Sequence, residues 1–149
     1  MKLEEEIIQQ KFDNDYHKAS VNIIYTSNWL TDIHSKIFKP YNITLQQFNI
    51  LRILRGHYPD VVNLKLIKRR MLDKMSDVSR LVERLREKGL VERKTCSTDR
   101  RHMDISITEA GLKLLSKLDK DINKINLVLT TLNAEEIDTL NKLLDKLRG

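Results

Sequence analysis

The chain of 149 residues holds one cysteine, two prolines and four glycines, and only 5% of it is aromatic. Each scarcity excludes something. Cys96 alone makes neither an intramolecular disulfide nor a Cys-x-x-Cys motif. So few glycines and prolines build few tight turns, which argues against a sandwich or barrel of many short strands and for a mostly helical fold. No apolar run approaches the length of a membrane span. At 40% hydrophobic and 32% charged, the sequence is too apolar for a disordered polyampholyte, and its length suits one sizeable core.

Catalytic signatures are missing as well. There is no Gly-rich phosphate loop and no Gly-x-Ser-x-Gly elbow. His17, His34, His57 and His102 stand far apart, and no pair has the i, i+4 spacing of two ligands on one helix face. No enzyme, metal site or cofactor is expected. Met1-Lys2-Leu3 followed by Glu4-Glu5-Glu6 is not laid out as a signal peptide, so a reducing cytoplasmic setting is expected.

Helical periodicity is plentiful. A first long segment, roughly Glu4 to Phe38, carries Ala19, Ile23, Leu30, Ile33 and Ile37 as a stripe, and Pro40 closes it. Thr44-Leu45-Gln46-Gln47 has the form of a capping box ahead of a nearly all-round apolar helix, which Gly56 is placed to end in the left-handed conformation. Asn63 caps a short basic helix, Leu64 to about Arg70, and a turn through Leu72-Asp73-Lys74 follows. From Ser76 to Lys88, Val78, Leu81, Val82 and Leu85 form one stripe, and Gly89 with Leu85 and Leu90 predicts a Schellman ending. Val91 to Thr95 and Met103 to Ile107 read as two strands around a polar loop, Ser97 to His102. Thr108 caps a last long helix in which Leu115, Leu118, Ile122, Ile125, Leu129 and Leu132 keep strict a/d spacing. Asn133-Ala134-Glu135-Glu136 then starts another helix with Ile137, Leu140, Leu144 and Leu147.

The net charge of +6 is localised. Residues 1–60 and 109–149 each hold seven basic and seven acidic side chains, whereas 61–108 hold thirteen against seven. Two short helices and a basic-tipped hairpin in that stretch are expected to form a winged helix-turn-helix, the arrangement in which the second helix is the one offered to the major groove of double-stranded DNA. Its exposed side offers Ser76, Asp77, Ser79, Arg80 and Arg84, with Lys74 close by and Lys68 on the preceding helix. The helix start is suited to hold a phosphate. Arg100 and Arg101 at the hairpin tip would reach an adjacent groove or backbone.

Ile43-Thr44-Leu45-Gln46-Gln47-Phe48, Ser79-Arg80-Leu81-Val82-Glu83-Arg84-Leu85, Lys88-Gly89-Leu90-Val91-Glu92-Arg93, Asp99-Arg100-Arg101 and Ile107-Thr108-Glu109-Ala110-Gly111 occur in register. Over nearly its whole length the sequence thereby resembles the MarR-type transcriptional regulators. The resemblance implies a recognition helix at Ser76 to Lys88, a wing at Cys96 to His102, and first and last helices that interlock two chains. It implies that Asp99 braces a wing arginine, Arg101. It departs from the family at Leu66-Ile67-Lys68-Arg69-Arg70-Met71, which replaces a small, acidic and apolar mixture and brings more positive charge near the phosphates.

The expected organisation is therefore an N-terminal dimerisation helix (1–40), a winged helix-turn-helix unit (41–108) and C-terminal dimerisation helices (109–149), forming one intertwined homodimeric domain. Leu118, Ile122, Ile125, Leu129, Leu140 and Leu144 are its expected seam. The expected function is a repressor of a pseudo-palindromic operator, released by a phenolic or other aromatic effector in a pocket that Tyr16, Tyr25, Trp29, His34 and Tyr41 would line. The alternative is a helical interaction module or anti-repressor that turns the same face to a protein. Cys96 is expected to fill space at the root of the wing rather than to sense oxidants, and no membrane partner is expected.

Overall fold

The computed structural model describes residues 2–9, 11–95 and 103–149. The polar loop and its Cys96, Asp99, Arg100 and Arg101 lie outside the described residues. The chain divides into two compact units, Met1–Leu45 and Gln46–Gly149.

In the first unit the long opening helix is interrupted. A short α1 (Leu3–Glu6) ends at once, Ile8 adopts a positive φ of 54°, and α2 (Asp15–Phe38) starts afresh. The cause is local: extended Asn14 accepts the His17 N–H at 2.9 Å, which caps α2 and bars its growth toward the N-terminus. Lys18 pairs with Glu4 and the Tyr25 hydroxyl donates to Glu6 Oε2 at 2.8 Å, so both elements are tied together by polar contacts. A 3₁₀ turn, Lys39–Tyr41, with Pro40 at its start and Asn42 left-handed, closes α2 where Pro40 led one to expect.

The second unit is built around α3 (Leu45–Arg55), which buries Gln47, Phe48, Ile50, Leu51, Ile53 and Leu54. Gly56 does not end it in the left-handed conformation. Instead successive turns carry the chain on, with His57 N–H to Leu54 O and Tyr58 N–H to Arg55 O, until Pro59 offers no N–H. β1 (Val62–Asn63) comes next, a strand too short for its two residues to show any alternation, and Asn63 caps α4 (Leu64–Arg70) by accepting the Leu66 N–H at 2.8 Å.

After a turn comes α5 (Val78–Glu87), then β2 (Val91–Thr95) and β3 (Met103–Ile107). The sheet is antiparallel in the order β1-β3-β2, pairing Val62 with Ile105 and Val91 with Ile107. α4 packs on α5, β1 and β3, and α5 packs on β2. α5 ends as the Schellman pattern requires: Gly89 has φ +70°, Leu90 N–H reaches Leu85 O at 3.0 Å and Gly89 N–H reaches Arg86 O at 2.9 Å. The base of the wing is fastened there too. The Thr108 hydroxyl donates to Gly89 O at 2.7 Å and accepts the Gly111 N–H at 3.1 Å, which caps α6 (Glu109–Val128). Gly111 is needed for this approach, because a Cβ there would stand 2.5 Å from the Leu90 carbonyl oxygen.

A 3₁₀ turn, Leu129–Thr131, ends α6, and the Asn133 and Glu136 capping box starts α7 (Ala134–Arg148). The architecture is thus mostly helical with a small three-stranded antiparallel sheet, a winged helix-turn-helix. The core of the second unit includes Leu51, Leu54, Ile67, Met71, Val82, Leu85, Ile105, Leu115 and Leu118. Full burial of each such aliphatic side chain contributes about 1.5–3 kcal/mol. Leu118, expected at a seam between chains, is thus spent on the chain's own core. Among the described residues no helix is long and apolar enough to cross a membrane.

Candidate nucleic-acid interface

The turn between α4 and α5 is stiffened by its own polar groups. Asp73 Oδ1 accepts the Met75 N–H at 2.9 Å, Asp73 O accepts the Ser76 N–H at 3.3 Å, and Asn49 Oδ1 accepts the Leu72 N–H at 2.9 Å. The Met75 N–H, more than any other group, holds the Asp73 carboxyl below the usual carboxylate range. α5 begins at Val78 rather than Ser76, because Asp77 is its cap and accepts the Arg80 N–H at 3.1 Å. A carboxylate therefore occupies the helix start suggested by the sequence as a phosphate seat.

Val78, Val82 and Leu85 are buried, which turns the opposite side of α5 outward with Ser79, Arg80 and Arg84 exposed. A shallow groove of about 270 Å³ brings Ser76, Asp77, Arg80 and Arg84 together with Gln46, Asp73 and Leu81. Those last three were missed from sequence. Asp73 carried a signal, an Asp two residues ahead of the amide it accepts, but Gln46 reaches the groove only through the packing of α3.

The charges along α5 are sorted. Glu83 receives both Nε and Nη2 of Arg86, at 3.0 and 2.6 Å, and stands 3.5 Å from Arg93 of β2. The hydrogen bond from Arg86, then the charges of Arg86 and Arg93, keep the Glu83 carboxyl below its ordinary value. With Glu83 so engaged, Arg80 and Arg84 form no ion pair with a carboxylate among the described residues. Lys68, Arg69 and Arg70 are exposed on α4. Lys74 donates to the Arg69 carbonyl at 2.7 Å, so its ammonium caps α4 instead of standing free.

The other expected sites are partly assembled. Tyr25 and Trp29 share a groove within the first unit, whereas Tyr16, His34 and Tyr41 do not line it. Tyr16 is almost fully exposed, and the His34 ring is bonded to the Leu30 carbonyl of its own helix at 2.6 Å. Of the expected seam, Leu129 and Leu140 are exposed and Ile122 and Leu144 half-buried, while the Ile125 side chain lies outside the description. Leu127, Leu143 and Leu147 are exposed besides. Among the described residues no three His, Cys, Asp or Glu gather into a possible metal set.

The MarR family model matches residues 41–102. A MarR transcription factor from Planctomyces limnophilus is 31% identical, with a TM-score of 0.70 over 91% of this chain and 98% of that one. A mutant MarR from E. coli complexed with operator DNA is 22% identical, with a TM-score of 0.80 over 93% and 99%. An organohalide-sensing transcriptional regulator in its 2,4-dichlorophenol-bound form is 21% identical, with a TM-score of 0.83 over 94% and 85%. With its winged helix-turn-helix, its sorted charges and a relative of this identity along almost its full length, the chain belongs to the MarR family of transcriptional regulators.

Proposed function

We propose that the protein is a homodimeric, sequence-specific repressor that sets α5 of each copy into successive major grooves of a pseudo-palindromic operator. Half-sites then lie about 34–36 Å apart, one helical turn, because the two-fold of the protein matches that of the DNA. Residues 41–108 read DNA, 1–40 and 109–149 assemble the dimer, and the protein works in the cytoplasm. The observation that carries this is the pair of guanidiniums, Arg80 and Arg84, without an ion pair among the described residues, on the exposed side of α5, beside a Glu83 held by Arg86 and Arg93. Arg80 and Arg84 read bases, Ser79 and Lys68 contact phosphates, and Arg100 and Arg101 contact the backbone or an adjacent groove.

Support for an effector comes from the relative crystallised with 2,4-dichlorophenol. An aromatic effector that prefers the non-binding state lowers operator affinity by its differential affinity and no more. The test begins with genomic DNA passed over the protein at low salt, eluted with salt and sequenced. The expected result is a set of pseudo-palindromes that the Arg80→Ala, Arg84→Ala double variant no longer selects. Indifference to DNA, or retention without selection, contradicts the reading and favours a protein partner for the same face.

A further inference from the structure

In the first unit α1 and α2 flank a half-open groove of about 450 Å³, lined by Leu3, Glu6, Asn22, Tyr25, Thr26 and Trp29. Its volume is that of a small-molecule site. Leu3 is buried, and Trp29 keeps 44% of its surface exposed. In a chain of net charge +6, none of the six lining residues is cationic and one is anionic. The Glu6 carboxylate has no ion-pair partner among the described residues; its Oε2 accepts the Tyr25 hydroxyl at 2.8 Å. Lys18 is engaged with neighbouring Glu4, which ties α1 to α2, and no cation among the described residues pairs with Glu6. Asn22 Oδ1 accepts the Thr26 hydroxyl at 3.4 Å, one turn apart on α2.

An uncompensated carboxylate beside two aromatic rings is the arrangement that recognises an organic cation, through charge and through the negative faces of the rings. We infer that this groove binds small aromatic ammonium compounds. The inference deepens the effector part of the function proposed above, and it replaces a phenolic ligand with a cationic one at the site holding Tyr25 and Trp29.

Trp29 is the chain's single tryptophan, so its fluorescence reports this groove alone. The full chain is titrated, without DNA, with benzyltrimethylammonium, benzyl alcohol and benzoate. A saturable change with the cation only is expected, weakened at least about tenfold in Glu6→Gln, where a charged contact is lost and the hydrogen bond from Tyr25 can be kept. Calorimetry on Trp29→Leu should show the same loss. Saturation by benzoate, equal response to all three compounds, no response to the cation, or unchanged binding in Glu6→Gln overturns the inference. None of these outcomes bears on operator selection, which is measured without ligand.

Discussion

In α5 the apolar residues Val78, Val82 and Leu85 are buried within a single chain, and charge covers the other side; in α7 no residue is buried, and Leu140, Leu143 and Leu147 face outward. Both helices carry a clear apolar stripe in the sequence. The difference lies in what each stripe meets: α5 is covered by α4 and β2, whereas among the described residues no residue of α7 is buried. An amphipathic helix completed inside one copy leaves its polar side free for a ligand, and one left uncompleted asks for a second copy. The charge tally follows the same division, since the basic excess falls wholly in 61–108 and the flanking stretches are balanced.

Leu85 is fully buried in α5. Leu85→Ala is expected to cost about 2–5 kcal/mol in urea unfolding while leaving the sedimentation mass of the folded protein unchanged. The opposite pattern is expected of Leu143→Asp combined with Leu147→Asp. Both positions are exposed, so the fold should persist by circular dichroism while the sedimenting mass falls from dimer to monomer. A double variant with the wild-type mass would mean that α7 is not at the seam.

A smaller effect is expected at Glu83. Its folded carboxyl loses a proton more readily than the unfolded one, so the stabilisation from Arg86 and Arg93 is complete above the ordinary value of 4.5. It is lost as pH falls through the lower folded value. Glu83→Gln should therefore flatten the acid side of the stability profile and leave the neutral side nearly level, as pH-dependent denaturant midpoints would show.

Legibility followed the range of the interactions. The Gly89 ending of α5, the Asn63 cap and the Asn133 and Glu136 box were readable because their partners lie within five residues. The break between α1 and α2 was local too, but the continuous stripe beyond it masked the capping signal of Asn14. β1 was not readable, since Val62 makes sense only opposite Ile105, a partner assembled by the fold. Leu118 shows the same limit: strict a/d spacing is shared by a seam between chains and a stripe that one chain buries itself, and only the packed structure separates them. At the DNA face, residue types were legible from sequence, but their pairing was not. Arg80, Arg84 and Arg86 look alike in the sequence, and the fold assigns Glu83 to Arg86.

Operator affinity at fixed salt should be measured for Arg84→Ala and Arg86→Ala side by side, two arginines on one helix of which the second is paired with Glu83 and the first has no ion pair among the described residues. A loss of about 1–3 kcal/mol is expected for Arg84→Ala, with relaxed preference at one base position, and a change within about 0.5 kcal/mol for Arg86→Ala. Equal losses in both, or an Arg84→Ala protein that binds its operator like wild type, would contradict that expectation.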